Sequence, residues 1–465
     1  MGSWHPPHPN PPPSDTVTVL VNCGVAGATV YLDDKSPVGD TVTADADGVA
    51  TFPNVSKYLR NTYIRCNAPG YAELIYNTVL PGTDTTITVI MQKLGMESGP
   101  LFRTGQFLYR SDSTIFDYRG ATLFLVPTRY FRGEDVTPQI NWMNKYGFNV
   151  ARMFVAGVNW TGWGDAIFNR PDYQDGLGKL FKLFNDAGIR IEATVVTYQG
   201  DINVWRRVVQ DCYEVIRTYR MNILEVINEP ASIWSNQAVY QIIQGVNTYG
   251  AMTAYGIQPP CNTTDVKDYM TVHVPRDERF FRNSKVCYEI RVGIDSPPFN
   301  CPVISDEPVG VIDPSQYPNY HQSGIFWVDQ NGRAARTTDI RGITMDASIG
   351  RLLNCGWTYH SQPGLEGRTP TANEPITTEA ARTISESNRF IPFNAQTGTY
   401  TRPGLGDFPV AFNGTEADHP YAMILGNESW LTMTRCATNW RPSPINGWKV
   451  REIHPELNWL VHLVK

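Results

Sequence analysis

Two patterns of hydrophobic and polar residues divide the chain. Between residues 16 and 92, short runs alternate β-branched or apolar residues with polar ones, as in Thr16-Val-Thr-Val-Leu-Val-Asn. Turns rich in Gly, Pro and Asp, such as Pro69-Gly70, separate these runs. Short strands separated by such turns are typical of a β-sandwich, and we predict a β-sandwich for residues 16–92. Residues 1–15 are rich in proline and are predicted to form an extended arm.

The pattern changes after Phe116. Apolar runs now alternate with stretches whose apolar residues recur at i, i+3, i+4 and i+7, which predicts strands alternating with helices, and hence parallel βα units. The predicted strands are Ala121–Val126, Val150–Phe154, Ile191–Val196, Ile223–Ile227, Tyr269–His273, Val303–Ser305 and Gly356–Tyr359, with the weak stretch Gly256–Pro260 in fifth place. The predicted helices are Asp135–Tyr146, Gly176–Ala187, Val204–Tyr219, Gln237–Ala254, Thr338–Leu353 and Glu379–Phe390.

Eight strands in this order predict an α/β protein with a (β/α)8 TIM barrel over residues 116–405. A doubly wound sheet is disfavoured because no Gly-rich phosphate-binding turn follows the first strand. We expect residues 93–115 to be a linker. Residues 406–465 return to short β segments, which predict a small C-terminal β appendage packed on the barrel.

Composition narrows the classes of function. The formal net charge is −6 and there is no basic block, so nucleic acid is not an expected partner. No apolar run approaches the roughly 18–20 residues of a membrane span, and the first residues lack the basic and apolar regions of a signal peptide. The eight cysteines form no CxxC pair or Cys/His cluster, so we expect no metal. Whether Cys23 and Cys66 form a disulfide is left open.

Two of the predicted barrel strands end in carboxylates. Strand four is followed by Asn228-Glu229-Pro230 and strand seven by Asp306-Glu307-Pro308. In a (β/α)8 barrel the carboxyl ends of the strands form the mouth at which chemistry occurs. Of two carboxyl groups at one mouth, a protonated one can give its proton to a glycosidic oxygen while the ionised one attacks the anomeric carbon or activates water.

These motifs resemble the clan A glycoside hydrolases, retaining enzymes of the cellulase- and mannanase-like superfamily. The resemblance spans about residues 116–366, most of the chain. It implies that Glu229 is the acid/base and Glu307 the nucleophile of a double displacement on the β-glycosidic bonds of a polysaccharide or oligosaccharide. It implies no organic or metal cofactor.

The same resemblance implies roles for four further residues. Asn228 corresponds to the amide that binds the sugar 2-hydroxyl, and Arg152, at the end of strand two, to the arginine that supports the nucleophile. His273 matches the histidine of strand six, and Trp357 the tryptophan that floors the reactive subsite. The chain departs from the family where His273-Val-Pro275 replaces His-x-Tyr and where strand three lacks a histidine.

Alternatives accompany these assignments. Asp306 competes with Glu307 as nucleophile, because alternating side chains allow only one of the two to point inward; the resemblance favours Glu307 and leaves Asp306 a structural acid. Arg152 could be an ion-paired barrel residue, and His273 a core histidine.

The chain is well supplied with aromatic residues, with 12 Trp, 23 Tyr and 19 Phe. Rings on loops at the barrel mouth can stack on the C–H faces of sugars, although each is equally compatible with loop packing. The candidates for sugar contact besides Trp357 are Tyr198, Trp160, Trp234 and Trp327.

The N-terminal strings Thr43-Ala-Asp-Ala-Asp-Gly-Val-Ala-Thr-Phe and Ala68-Pro-Gly-Tyr resemble carboxypeptidase regulatory-like domains, which have an immunoglobulin-like fold. That resemblance implies a spacer, anchor or recognition unit. Together with the Pro-rich arm it suits an extracellular or virion-associated enzyme anchored to a protein assembly. The alternative is a non-catalytic carbohydrate-binding or structural protein of a cell surface or phage virion.

Overall fold

The computed structural model describes most of the chain in two compact units, Met1–Met96 and Glu97–Lys465. The described residues are 16–23, 25–33, 40–56, 62–68, 74–78, 83–88, 99–158, 165–228, 235–256, 268–272, 287, 290, 301–306, 336–353, 355–360, 375–393, 399–401, 420–433, 442–457 and 459–465. The Pro-rich arm lies outside them.

The first unit is a sandwich of two sheets, as predicted. Its strands are β1 (Thr16–Asn22), β2 (Thr29–Asp33), β3 (Asp40–Thr43), β4 (Val49–Ser56), β5 (Thr62–Asn67), β6 (Leu74–Thr78) and β7 (Thr85–Thr88). One sheet has the order β4-β1-β7 and the other β3-β2-β5-β6. Alternate residues of β1, such as Val19, are buried in a core shared with Phe52 and Ile64. Cys23 and Cys66 are free thiols in this core, and burial raises the pKa of Cys66 to about 12.

The second unit is built on eight parallel strands. A hairpin of β8 (Phe102–Thr104) and β9 (Phe107–Tyr109) precedes them. The barrel strands are β10 (Arg119–Thr122), β11 (Val150–Phe154), β12 (Arg190–Val196), β13 (Ile223–Ile227), β14 (Thr253–Ala254), β15 (Met270–Val272), β16 (Val303–Ser305) and β17 (Gly356–Tyr359). The helices are α1 (Val126–Phe131), α2 (Thr137–Tyr146), α3 (Tyr173–Asp186), α4 (Ile202–Thr218), α5 (Asn236–Ile243), α6 (Arg336–Leu352) and α7 (Pro375–Phe390).

The strand order confirms the predicted (β/α)8 barrel. Pairing runs β14-β13-β12-β11-β10-β17-β16-β15, and every described neighbour is parallel. The two end strands approach each other through Asp268, whose backbone N–H donates to Thr253 O at 2.9 Å and whose carboxylate accepts from Thr253 N at 3.0 Å. The sheet is therefore nearly closed.

Two strand predictions need correction. The first strand ends at Thr122, and Val126 already begins α1, where Pro127 suits the first turn of a helix. The fifth strand is Thr253–Ala254, before the predicted stretch Gly256–Pro260 and inside the predicted helix Gln237–Ala254. That helix stops at Ile243 because Gly245, with φ of +79°, adopts a left-handed conformation that ends helices.

The predicted linker is partly structured. The hairpin and the segment after it bring Leu101, Leu108 and Phe116 against Val150 and Ile223, which lie at the amino ends of their strands. This apolar layer covers the end of the barrel opposite the mouth.

The C-terminal sheet packs on the barrel, as predicted. Its strands are β18 (Thr399–Thr401), β19 (Pro420–Leu425), β20 (Glu428–Met433), β21 (Lys449–Ile453) and β22 (Leu460–Val464), in the order β18-β19-β20-β22-β21. Leu431 and Val461 share a core with Val303 of the barrel and Ile349 of α6. Residues 408–412, which the sequence predicts as one of the β segments of this appendage, lie outside the described residues. Among the helices that the structure describes, none has the length and apolar character needed to cross a membrane.

Candidate active site

The inside of the barrel is polar. Arg152 and Glu225 each occupy the middle of an otherwise apolar strand, Glu192 shares β12 with Arg190 and Thr194, and Asp306 directly follows β16. All four side chains are completely buried. Alternation along a strand turns the neighbours of Arg152, Glu192 and Glu225 outward to the helices, so these three point into the barrel. Asp306 meets Arg152 there through an ion pair. Buried charges are costly unless they are paired and hydrogen-bonded, and each of these four has defined partners.

Arg152 is the central cation of this layer. Its Nη2 donates to Glu225 Oε2 at 2.7 Å and to Asn228 Oδ1 at 2.7 Å, and its Nε forms an ion pair with Asp306. Its guanidinium carbon also lies 5.1 Å from the ring centre of Phe124, which stacks on Phe154. Arg152 is in the middle of β11 rather than at its end, so the prediction was wrong about its level in the barrel.

Glu225 is held from several sides. Besides Arg152, the hydroxyl of Thr194 donates to its Oε2 at 2.7 Å and that of Thr271 to its Oε1 at 2.6 Å. These donors come from β12, which pairs with the strand of Glu225, and from β15, at the other end of the strand order. Hydrogen bonds of this kind stabilise the ionised form of a carboxylate.

Glu192 has a different environment. The hydroxyl of Tyr118 lies 2.6 Å from its Oε2, and that of Tyr269 lies 2.6 Å from its Oε1. Burial, together with the nearby charges of Asp306 and Glu225, raises the pKa of Glu192 well above its usual value. Burial, followed by the neighbouring Glu192 carboxyl, also raises the pKa of both tyrosines.

Asn228 and Asp306 lie at the mouth, at the carboxyl ends of strands four and seven. The backbone N–H of Asn228 donates to Val196 O at 2.9 Å, and its side-chain oxygen accepts from Arg152. Gly256 packs on this strand end so closely that a Cβ would lie 1.7 Å from Ile227 O, and only glycine fits there. Asp306 Oδ1 accepts from the Thr358 hydroxyl at 3.1 Å.

The Asp306 side chain faces the barrel interior, and Glu307 lies outside the described residues. Side-chain alternation therefore does not favour Glu307 over Asp306 as the inward carboxylate. Because β16 ends at Ser305, the strict alternation of an extended strand is not imposed on the residues that follow. Asp306 is engaged by Arg152 and Thr358, which fits the structural acid expected of it.

Trp357 faces away from the barrel interior. Its indole N–H donates to Asp346 Oδ2 of α6 at 2.7 Å, its ring stacks on Tyr359, and only 5% of the residue is exposed. Its neighbour Thr358 points inward to Asp306, so alternation turns Trp357 outward. This placement contradicts the predicted floor of a sugar subsite.

Tyr198 follows β12 on the mouth side and is half-buried. Its ring meets Trp205 edge-on, with 5.0 Å between the ring centres. Its contact with sugar stays a prediction. The remaining predicted site residues lie outside the described residues and also stay predictions; these are Glu229, Glu307, His273, Trp160, Trp234 and Trp327.

Sequence reasoning missed Glu192, Glu225 and His360. His360 follows β17, is 2% exposed, and lies with its ring centre 5.5 Å from that of Phe124. The sequence signal that could have identified Glu192 is its spacing from Thr194. The two polar residues are two positions apart in β12, so they lie on the same face of a largely apolar strand. Within the described part of the chain, no group of three or more His, Cys, Asp or Glu is arranged to hold a metal ion.

Comparisons with known proteins show the fold. No family model matches the sequence, and no curated protein matches it. A solved glycoside hydrolase family 5 protein from Bacteroides vulgatus has a TM-score of 0.50 at 14% identity, over 73% of this chain and 81% of its own. A further glycoside hydrolase has a TM-score of 0.50 at 13% identity, over 73% and 84%. The likeness is one of fold. A nearly closed eight-stranded parallel barrel is common to this chain and to these glycoside hydrolases.

Proposed function

We propose that this protein is a retaining glycoside hydrolase that cleaves β-glycosidic bonds of a polysaccharide or oligosaccharide. One observation carries the proposal. The guanidinium of Arg152 contacts both Asn228 and Asp306, the residues immediately before Glu229 and Glu307. Successive Cα atoms are about 3.8 Å apart, so a carboxylate next to each of these contacts suits the paired-carboxylate chemistry of glycosidic cleavage. The fold shared with glycoside hydrolases supports the same function.

In the proposed reaction Glu229 is the acid and Glu307 the nucleophile. The Glu307 carboxylate attacks the anomeric carbon while Glu229 gives its proton to the departing glycosidic oxygen, which leaves as an alcohol. Glu229 then takes a proton from water, and the resulting hydroxide displaces Glu307 and restores both groups. Two inversions at the anomeric carbon give net retention.

Asn228 has a defined part in this mechanism. Arg152 holds its side-chain oxygen, so the Nδ2 group is the donor that remains for a ligand. We propose that this group donates to the sugar 2-hydroxyl. Arg152 itself fixes Asn228 and Asp306, and Asp306 acts as a structural acid rather than as the nucleophile.

The test is hydrolysis of a panel of aryl β-glycosides and β-linked polysaccharides. We expect cleavage with retained anomeric configuration, observed by NMR on the first-formed product. Glu307→Gln should abolish it, whereas Glu229→Ala should lose activity mainly on poor leaving groups and regain it with azide. Full activity in Glu307→Gln, or inverted product, would contradict the mechanism. Binding of a glycan that is never cleaved would instead favour the non-catalytic alternative.

We also propose that the N-terminal unit serves attachment on an extracellular or virion surface. It has its own apolar core, which includes Val19 and Phe52. Deleting residues 1–96 should leave hydrolysis intact and remove attachment to the assembly. Lost hydrolysis would show that the sandwich contributes to the active site.

A further inference from the structure

The hydroxyls and carboxyls inside the barrel form one continuous chain. Tyr269 Oη lies 2.6 Å from Glu192 Oε1, and Glu192 Oε2 lies 2.6 Å from Tyr118 Oη. Tyr118 Oη lies 3.4 Å from Thr358 Oγ1, which in turn lies 3.1 Å from Asp306 Oδ1. The chain thus leads from the buried Glu192 to the residue that directly precedes the proposed nucleophile.

The number of hydrogens along this chain depends on the protonation of the carboxyls. The hydroxyls of Tyr269, Tyr118 and Thr358 supply three hydrogens for four oxygen–oxygen contacts. With both carboxyls ionised, the three hydroxyls donate to the carboxylates, and the 3.4 Å contact between Tyr118 and Thr358 has no hydrogen. A hydrogen bond at all four contacts requires a fourth hydrogen, from a protonated carboxyl at one end of the chain, Glu192 or Asp306.

Charge decides between the two ends. Asp306 forms an ion pair with Arg152, which favours its ionised form. Glu192 faces Tyr118 of the segment before β10 and Tyr269 of the segment before β15, and among the described residues the charges of Asp306, Glu225 and Arg152 act on its pKa. Arg152 is already shared by the other two carboxylates. The direction of the pKa shift of Glu192 agrees with this assignment.

We propose that Glu192 is a neutral carboxylic acid and a positioning residue that orients Asp306 toward Arg152 from beneath the barrel mouth. Its O–H donates to Tyr118, Tyr118 donates to Thr358, and Thr358 donates to Asp306. Tyr269 donates to the other oxygen of Glu192. All donors along the chain then point the same way, toward the ionised Asp306. This positioning role rests on the proposed hydrolase function, whereas the neutral state of Glu192 does not.

Glu192→Gln tests the neutral state without any assay of activity. The glutamine amide can donate to Tyr118 and its oxygen can accept from Tyr269, so the variant reproduces the protonated acid. A raised pKa in the folded state stabilises the fold at low pH, and that stabilisation is lost as pH rises from the unfolded-state pKa toward the folded one. The midpoint of thermal unfolding of Glu192→Gln should therefore rise relative to wild type by about 2 °C per pH unit above about pH 5.

The matched control is Glu225→Gln, which removes an acceptor paired with Arg152. Its unfolding midpoint should lie below that of wild type throughout this pH range. A Glu192→Gln variant that is destabilised at pH 7, or whose difference from wild type does not grow with pH, would overturn the neutral assignment.

Two tyrosine variants test the positioning role. Tyr118→Phe and Tyr269→Phe each remove one hydroxyl beside Glu192, but only Tyr118 continues to Thr358 and Asp306. On a substrate that wild type cleaves, Tyr118→Phe should lower kcat about tenfold with little change in KM, since small misplacement of catalytic groups has effects of this size. Tyr269→Phe should retain kcat within about twofold.

The experiments test the neutral state of Glu192 and its positioning role separately. Equal effects of the two tyrosine variants on kcat would refute positioning through Tyr118. If wild type cleaves nothing on the glycoside panel, the hydrolase function and the positioning role fall together, and the thermal data on Glu192→Gln still decide whether its carboxyl is neutral.

Discussion

The two faces of the barrel strands differ in character. The outward face carries apolar residues such as Ala151, Met153 and Ile191, which pack on the helices in one large core. The inward face carries Arg152 and Glu192 at the alternate positions of the same strands. The outer face explains why the chain folds into a barrel. The inner face costs stability relative to an apolar filling and is therefore the face on which to look for function.

The largest expected effect comes from removing the inner cation. Arg152→Met leaves Glu225 and Asp306 buried without the guanidinium, and breaking such a pair costs about 3–5 kcal/mol of unfolding free energy. Hydrolysis should be lost as well. Denaturant unfolding measures the effect, with Arg132→Met as control, because its ion pair with Asp165 is exposed and contributes at most about 1 kcal/mol. Equal losses of unfolding free energy in the two variants would contradict the claim that the buried ion pairs inside the barrel contribute more to stability than an exposed ion pair.

A smaller effect is expected on the outer face. Ile191 is fully buried beside Glu192 on β12, and Ile191→Ala should cost about 2–4 kcal/mol through lost burial and a cavity. Because no titrating group is removed, the loss should be the same at pH 5 and pH 8. Thermal unfolding at the two values, compared with Glu192→Gln, measures the contrast between adjacent residues on opposite faces. A strong pH dependence for Ile191→Ala would contradict the separation.

The smallest effect is expected for Trp357→Phe. It removes the hydrogen bond to the buried Asp346 and costs about 2 kcal/mol. Since the ring faces α6, KM for the best glycoside should stay unchanged, and steady-state kinetics at matched folded fraction check this. A KM raised severalfold would instead indicate that Trp357 contacts the substrate.

The sequence pattern predicted the barrel well because its strongest signal, apolar strands between amphipathic helices, comes from the outer core. Strands β11, β13, β16 and β17 agree with their predicted bounds. The short strand β14 could not be recognised, because two residues are too few to show a period. The outward turn of Trp357 was missed because it depends on which residue of β17 faces inward.

The candidate site was predicted in part. The strand-end positions of Asn228 and Asp306 follow from the carboxyl ends of two recognisable strands. The sharing of Arg152 among Glu225, Asp306 and Asn228 depends on the closure of the barrel, which brings together residues far apart in the chain. The protonated state of Glu192 depends further on the tyrosines that face it, and local sequence does not specify them.

Covalent trapping tests the central claim most directly. An activated 2-deoxy-2-fluoro-β-glycoside of the sugar that wild type cleaves slows hydrolysis of the glycosyl-enzyme intermediate. We predict that the intact mass rises by one glycosyl unit and that fragmentation of the labelled peptide assigns it to Glu307, with no label in Glu307→Gln. A label on Asp306, or an active enzyme that forms inverted product and takes up no label, would contradict the account.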